Sequence, residues 1–404
     1  MTLPKSLTNE GELPRISVRA SYLRFPRWTQ PLWTRLTGKP LPNEQAWFTP
    51  HPALSLSMDV LLAIGTCAVH LYLLTSSRDW LRILGYVVAP MAMVFLVGLL
   101  RKIQVVYGHH AIHETLFRRG SRMNGLVSKG LTIFVLAQNE IEYEQEHLDH
   151  HRRSVFTTRD DADASLLFNF GIRPGRSVAE LNHNLLSTLF SPVFHLWFLK
   201  SRVMSNLRRP LIEQCLVVVW LVVLIVVMPA CLGVNATAIA LWLPLTALYQ
   251  MSALLQFSTE HVWLVGAAPG VQQGVYAERC HGRFCGECVP GADGNVPSPR
   301  VWLRWWCRTL FMHIPMRVGV LVGDLPAHDW HHLASAVGHS HRSWPDAIFE
   351  RQRAIDSGNS AGMEERELWG IENMIAHVFV HMSQASELPA ESELAAGTSP
   401  ANGS

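Results

Sequence analysis

The sequence predicts an all-α integral membrane protein with four transmembrane helices in two hairpins and a cytoplasmic helical cap that holds histidine clusters. Three observations favour this class. Only 16% of the 404 residues are charged and 49% are hydrophobic, which is a low charge content for a soluble enzyme. The apolar residues form long blocks without the periodic stripes of a soluble helix. Short histidine clusters adjoin these blocks.

The longest apolar block lies between Glu213 and Glu260, and no charged residue interrupts it. It is about twice as long as the roughly 20 residues that cross a bilayer. Pro229, Gly233 and Asn235 indicate a turn near its middle. The block therefore predicts two spans joined by a very short loop, and an earlier pair of apolar segments predicts another hairpin. The four predicted spans cover residues of about 56–77, 83–100, 212–232 and 235–256.

The arginines and lysines predict the orientation of the spans. Most of them, such as Arg101 and Lys102, lie before the first span or between the second and the third, whereas the short connections on the other side carry only Arg78 and Arg82. Because basic residues favour the cytoplasmic side, we expect a multi-pass protein with both termini and all histidine clusters in the cytoplasm. This topology accounts for the basic residues, so no nucleic-acid partner is predicted.

Composition divides the chain into four regions. Within the second region, residues 186–207 and 301–322 mix Trp, Leu and Arg, which predicts helices at the membrane surface. The first region is expected to be poorly ordered or to lie along the membrane, and the last has the composition of a disordered end. The regions are a cytoplasmic N-terminal lead over 1–50, a membrane catalytic domain over 51–345, a cytoplasmic helical cap over 346–384 and a disordered tail over 385–404.

Nine histidines form four clusters near the predicted cytoplasmic ends of the spans. In HHAIHE, His109 and His113 are four residues apart and share one face if the second span continues as a helix. His110 points about 100° away from His109; we leave it out, although a pair with His113 stays open. The stretches EHLDHH and HDWHH share the spacing HxxHH. The nine are His109, His113, His147, His150, His151, His261, His328, His331 and His332.

Nine imidazoles exceed the four ligands that close a zinc site. Two metal ions with a largely nitrogen shell fit the number better, and imidazole suits iron that must keep a position open for oxygen. Any one cluster is also compatible with a polar helix end. Four clusters on one membrane face favour the metal centre over that alternative.

The order of HxxxH, HxxHH, a lone histidine after the last span and HxxHH resembles the integral-membrane fatty acid desaturase and alkane hydroxylase superfamily. Members of that superfamily hold a non-haem diiron centre in histidine boxes. The resemblance covers about residues 55–345 and implies that the nine histidines bind two iron ions. It also implies O2 as co-substrate, a lipid or acyl substrate in the bilayer, and an external electron donor of the ferredoxin, rubredoxin or cytochrome type.

The resemblance leaves the reaction outcome open. The first box lacks the HExGH pattern of many members, and Glu260-His261 is similar to an element of alkane hydroxylases. The two HxxHH boxes favour desaturation of a lipid or carrier-bound acyl chain. Hydroxylation of an alkyl or acyl chain by the same centre is the alternative.

Six carboxylates lie close to the histidines in the sequence and are candidates to orient imidazole N–H groups. Four of them directly neighbour candidate ligands, and two follow the second box in TTRDDADA. For that last segment a solvated loop is the more common structure. The six are Glu146, Asp149, Glu260, Asp329, Asp161 and Asp163.

Three other functions have partial signatures in the sequence. Cys280, Cys285 and Cys288 have the C-x4-C-x2-C spacing that begins a plant-type iron–sulfur pattern, but we expect no metal there, with zinc as the next alternative. A zinc protease would need a histidine where Phe117 stands in the sequence HETLF. A membrane metal-binding or transport protein would need ionisable ligands at the bilayer midplane, where the predicted spans offer essentially only His70.

Overall fold

The computed structural model describes residues 17–152, 154–264, 274–292, 294–333 and 346–385, and these residues are predominantly helical. Four helices among them are long and apolar enough to cross a membrane, which confirms the predicted fold class. We call them span 1 to span 4. They are Pro52–Thr75, Asp79–Ile112, Leu211–Leu232 and Val234–Glu260.

The spans pair as two hairpins with very short connections. Only Gly233 separates span 3 from span 4, and its φ of 83° lies in the region that favours glycine. Residues 76–78 connect span 1 to span 2. The two hairpins also contact each other, because Leu71 and Leu74 of span 1 share a core with Ala236 and Ala240 of span 4.

Span 2 is longer than a bilayer requires. Its 34 residues correspond to about 51 Å at 1.5 Å per residue, whereas the hydrocarbon core measures about 30 Å. Its last part can therefore extend beyond the membrane. Ile103–Gly108 winds as a π-helix immediately before His109, and such segments occur often at functional sites.

Shorter helices outside the spans position the remaining histidines. Six of them begin with side-chain caps. In two of these six, Asn139 accepts from the backbone N–H of Glu142 and Asp161 accepts from that of Asp163. These helices are Val18–Ser21, Gln30–Thr37, Arg122–Phe134, Glu140–His150, Ala162–Asn169, Val178–Leu189, Pro192–Asn206, Gly274–Arg279, Pro299–Arg308 with its continuation through Thr309–His313 and Ile314–Gly319, His328–Leu333, Ala347–Asp356 and Ile371–Gln384.

The helical prediction for residues 346–384 misses a short strand. Glu367–Trp369 pairs in parallel with Gly282–Phe284, with Arg283 opposite Leu368. A strand of three residues is too short to show a periodic pattern in the sequence. The pair attaches the C-terminal helices to the segment that follows span 4.

The described part of the N-terminal lead is folded, which differs from the expected poorly ordered segment. Arg19 is buried and donates to Gln30 and Thr34. Trp33 shares a core with Tyr22 and Trp305 because aromatic side chains bury large apolar areas. Residues 1–16 and the predicted tail beyond 385 lie outside the described residues.

Candidate metal centre

The structure brings eight of the nine predicted histidines into two groups of four. Within each group, one potential ligand atom from every histidine lies within 4.8 Å of the others. Group A consists of His109, His113, His147 and His331, and group B consists of His150, His261, His328 and His332.

Each HxxHH helix supplies histidines to both groups. Glu140–His150 contributes His147 to group A and His150 to group B. His328–Leu333 contributes His331 to group A and the other two histidines of its box to group B. Since residues three and four apart lie on adjacent positions of one helical face, a single helix can serve two neighbouring sites.

Histidines at the C-terminal ends of span 2 and span 4 complete groups A and B. His109 lies in the last turn of span 2, and the backbone N–H of His113 donates to the His109 carbonyl at 3.2 Å. His261 directly follows span 4 in extended conformation and forms an isolated bridge with Cys280. His109, His113 and His261 therefore lie next to the two HxxHH helices because they are at the ends of the spans, as the sequence predicts.

The ninth histidine, His151, lies between the two groups. Its Nε2 is 3.0 Å from the Nε2 of His147 and 3.0 Å from that of His331 in group A. Its ring also stacks on the His332 ring of group B, with centroids 4.5 Å apart. His151 is thus in reach of group A and adjacent to group B.

The residues fit metal ions on two observations. In group B, His261 Nε2 and His332 Nδ1 are buried and have no hydrogen-bond partner among the described residues, a state that costs about 1–3 kcal/mol per atom. Burial, together with neighbouring imidazoles, lowers the pKa of His113 to about 4 and the pKa values of His147 and His332 well below the usual range. Neutral imidazoles are the form that coordinates a metal.

Asp161 is a fully buried carboxylate that contacts a candidate ligand. Its Oδ2 accepts from His150 Nδ1 at 2.8 Å and from the backbone N–H of Thr157 at 2.8 Å. Burial alone would lower the pKa of His150, but Asp161 raises it to about 9. The contact engages Nδ1 and leaves Nε2 of His150 for a metal. A solvated loop is therefore the wrong description for Asp161.

The other predicted carboxylates differ in their surroundings. Asp163 is partly exposed, with Oδ2 4.0 Å from His150 Nδ1, and Glu260 is buried with Oε1 3.2 Å from His328 Nε2. Asp329 instead accepts from the Arg351 guanidinium at 2.8–3.0 Å, so it anchors the ligand helix.

Two carboxylates of that set face outward. Asp149 pairs with Arg152 at 2.8 Å near the surface, and Glu146 is an exposed residue at the rim of the cavity beside the histidines. Solvent-facing positions describe these two carboxylates better than contact with an imidazole.

His110 has a structural environment that agrees with its exclusion from the ligand set. Its Nδ1 is 2.9 Å from Thr115 Oγ1, and its Nε2 is 2.9 Å from Asp324 Oδ2. Both ring nitrogens are thereby engaged. The side chain joins the end of span 2 to the segment before His328–Leu333.

The sequence analysis did not identify Cys280 as a neighbour of the site. Its buried Sγ lies 3.5 Å from His261 Nδ1. Cys285 belongs to another core cluster with Val320 and Leu321, and Cys288 is exposed. Only the tertiary structure reveals this contact, because the segment that follows span 4 returns to pair with His261.

A cavity of about 70 Å³ adjoins both groups. Polar side chains that the sequence analysis did not select line it, including Arg101, Gln104, Gln256 and Arg202. In the sequence, Arg101 indicates only the orientation of the spans in the membrane. The recurrence of Arg101, Gln104 and His109 on one helical face is the sequence pattern that could have indicated the polar lining of this cavity.

Comparison with known proteins agrees with the resemblance drawn from the histidines. Residues 84–317, more than half of the 404-residue chain, match the family model described as fatty acid desaturase. No curated protein and no solved structure matches the chain. The matched segment ends before the third histidine cluster, whose members nevertheless lie in groups A and B.

Proposed function

The chain belongs to the fatty acid desaturase family, and from this premise we propose that it is a membrane-bound non-haem diiron oxidoreductase. It uses O2 and electrons from an external donor to desaturate a lipid or acyl chain. The observation that carries the proposal is the convergence of eight histidines into two adjacent groups of four, with His151 between them.

The proposal assigns one iron to each group. The four histidines of group A hold the first ion and the four of group B hold the second, with His151 available to the first. When bound, the two irons supply the activation of O2 and the removal of hydrogen from an unactivated C–H bond. An oxygen-poor, nitrogen-rich donor set supports iron over magnesium or calcium, which prefer oxygen ligands.

The chain's own residues orient the ligands and hold protons. Asp161 accepts the Nδ1 proton of His150 and thereby fixes which nitrogen faces the metal. Glu260 lies against His328 Nε2 and accepts from the Gln256 amide at 3.2 Å. These contacts keep the imidazoles of group B in place while a substrate enters or leaves the neighbouring cavity.

Electrons come from a separate protein of the ferredoxin, rubredoxin or cytochrome type in this proposal. The positive-inside distribution of arginine and lysine supports a cytoplasmic location for the site and for both termini. A soluble reduced donor would therefore reach the histidine face of the protein directly.

Metal analysis and product analysis test the proposal together. We expect about two irons per purified chain by plasma mass spectrometry. Expression with a compatible donor should then yield lipids lighter by two mass units, which signifies a double bond. A gain of sixteen mass units would instead identify the hydroxylase alternative. A preparation without iron, or with a single zinc per chain, contradicts the diiron assignment.

A further inference from the structure

Two arginines line the cavity beside the candidate metal centre, and no carboxylate of the described residues lies within ion-pairing distance of either. They are Arg101 of span 2 and Arg202 of the helix Pro192–Asn206. Buried or partly buried arginines normally have an anionic partner, because an uncompensated charge away from water is costly.

Arg101 is 1% exposed and is surrounded by neutral groups. Its guanidinium donates to the side-chain oxygen Oε1 of Gln256 and lies over the Tyr249 ring at 5.0 Å from the centroid. Its Nε is buried and has no hydrogen-bond partner among the described residues. Tyr249 in turn donates to Gln104 at 2.7 Å. These neutral groups surround the positive charge of Arg101, but none of them carries a negative charge that would balance it.

Arg202 lines the same cavity from a different helix, Pro192–Asn206. One of its terminal nitrogens, Nη1, is buried without a hydrogen-bond partner among the described residues. The guanidinium lies over the Phe198 ring at 4.8 Å. Burial lowers the pKa of Arg202; the nearby charge of Arg101 lowers it further, whereas Tyr249 and Glu146 oppose the shift. Two guanidiniums thus face a shared space.

The carboxylates that line this cavity already have other contacts. Glu260 lies against His328 and Gln256, and Asp163 lies beside His150. Glu146 hydrogen-bonds to Gln138 and interacts electrostatically with Arg202, but the two do not form an ion pair. Among the described residues, neither arginine forms an ion pair with a carboxylate.

A second, larger groove provides a contrast. It measures about 530 Å³ and is lined by apolar residues such as Leu62 and Phe95 together with Lys102 and Arg317. Lys102 pairs with Asp59 at 3.1 Å, and Arg317 donates to three backbone carbonyls. Lys102 therefore has a carboxylate partner, whereas neither arginine beside the candidate metal centre has one among the described residues.

We propose that the substrate carries an oxyanion, a carboxylate or a phosphate, that Arg101 and Arg202 bind inside the cavity. Guanidinium groups recognise both oxyanions through paired N–H donors. The cavity is also lined by His109, His147 and His328. An oxyanion bound by the two arginines would therefore lie beside the candidate metal centre. This inference rests on the proposed function and narrows its substrate class.

Binding of three amphiphiles with the same chain tests the inference on the full-length protein in detergent. Titration calorimetry would compare octanoate, octyl phosphate and 1-octanol. We expect at least one of the two anions to bind tenfold or more tightly than the alcohol, and the tighter one identifies the oxyanion. Equal affinity for the alcohol and both anions overturns the inference.

Charge-removing variants locate the bound anion. Arg101→Gln and Arg202→Gln should each weaken anion binding tenfold or more and leave octanol affinity and iron content unchanged. Arg208→Gln is the matched control, since Arg208 is exposed and pairs with Glu142. Unchanged anion affinity in both cavity variants means that the guanidiniums are structural and overturns the inference. If Arg101→Gln does not fold, the test uses two other measurements. They are the anion affinity of Arg202→Gln, whose side chain is less buried, and the difference between anion and alcohol binding to the wild-type protein.

The failures of the two proposals are distinguishable. Iron content and an oxidised product decide the diiron function, whereas anion binding is measured in the absence of turnover. A protein that binds two irons but discriminates no anion refutes only the present inference. A protein that binds anions through both arginines but no iron refutes only the diiron function.

Discussion

Asp161 shows how one buried carboxylate can set the chemistry of a neighbouring ligand. It caps the helix Ala162–Asn169 through the backbone N–H of Asp163 and accepts the Nδ1 proton of His150. Because the same side chain caps a helix and contacts His150, Asp161 links the local fold to the candidate metal centre. The loop that carries it is therefore part of the candidate centre.

Asp161→Asn should weaken metal binding at group B by about 10–100-fold, because the carboxylate that accepts the Nδ1 proton of His150 and fixes the orientation of its ring is lost. Iron per chain, measured by plasma mass spectrometry after dialysis, should fall toward half of the wild-type value. Asp163→Asn is the control, since Asp163 is partly exposed and 4.0 Å from the imidazole. Equal iron in the Asp161 variant and wild type would sink this role.

His147→Ala or His331→Ala should abolish activity and lower the iron content, because each removes one of four imidazoles from group A. Membrane insertion, followed by fluorescence of a C-terminal fusion, should stay unchanged. His183→Ala serves as the control, as His183 is exposed and contacts Ser187. Full activity in either group A variant would falsify its assignment as a ligand.

At the scale of elements, close packing between span 2 and the helix Ile314–Gly319 holds the site together. A Cβ added at Gly98 would lie 2.0 Å from the backbone carbonyl oxygen of Val318. The contact requires a residue without a side chain. It fixes span 2, and with it His109, against the segment that leads to the third histidine cluster.

Gly98→Ala should destabilise the protein by about 1–3 kcal/mol, because a backbone atom must move to admit the methyl group. Thermal unfolding of the detergent-solubilised protein should show a lower midpoint. Gly65→Ala in span 1 is the matched control, since no atom lies within 4 Å of its added Cβ. Identical midpoints for the two variants would contradict this packing argument.

At the scale of the whole molecule, the even number of candidate spans in two hairpins predicts that both termini lie on one side of the membrane. The histidine groups lie at the ends of span 2 and span 4 and in the helices that follow them. One face of the membrane bundle therefore carries the entire candidate centre. The distribution of basic residues predicts that this face is cytoplasmic.

Reporter fusions test this orientation. A green fluorescent protein fused after residue 404 should fluoresce and alkaline phosphatase at the same position should be inactive, because the former folds in the cytoplasm and the latter outside it. Alkaline phosphatase inserted after Ser77, between span 1 and span 2, is the control and should be active. The opposite pattern would invert the predicted topology.

The sequence determined the number of spans, the turn at Gly233 and the nine histidines. Hydropathy, a glycine at a chain reversal and a helical spacing of three or four residues are local properties, and each can be recognised without knowing what the segment packs against. The short strand Glu367–Trp369 and the folded N-terminal lead were not predicted, since their stability comes from distant partners.

Only the tertiary structure decided how the histidines divide into groups A and B, that Asp161 is buried against His150, and that Arg101 and Arg202 share a cavity. Arg101 and Arg202 are a hundred residues apart in the sequence and belong to different helices. Whether both side chains line one cavity depends on which helix faces pack together. The hydrophobic pattern of a helix shows which of its faces is buried, but it does not show which helix packs against that face. The charge inside the cavity, and hence the inferred anionic substrate, follows from that packing alone.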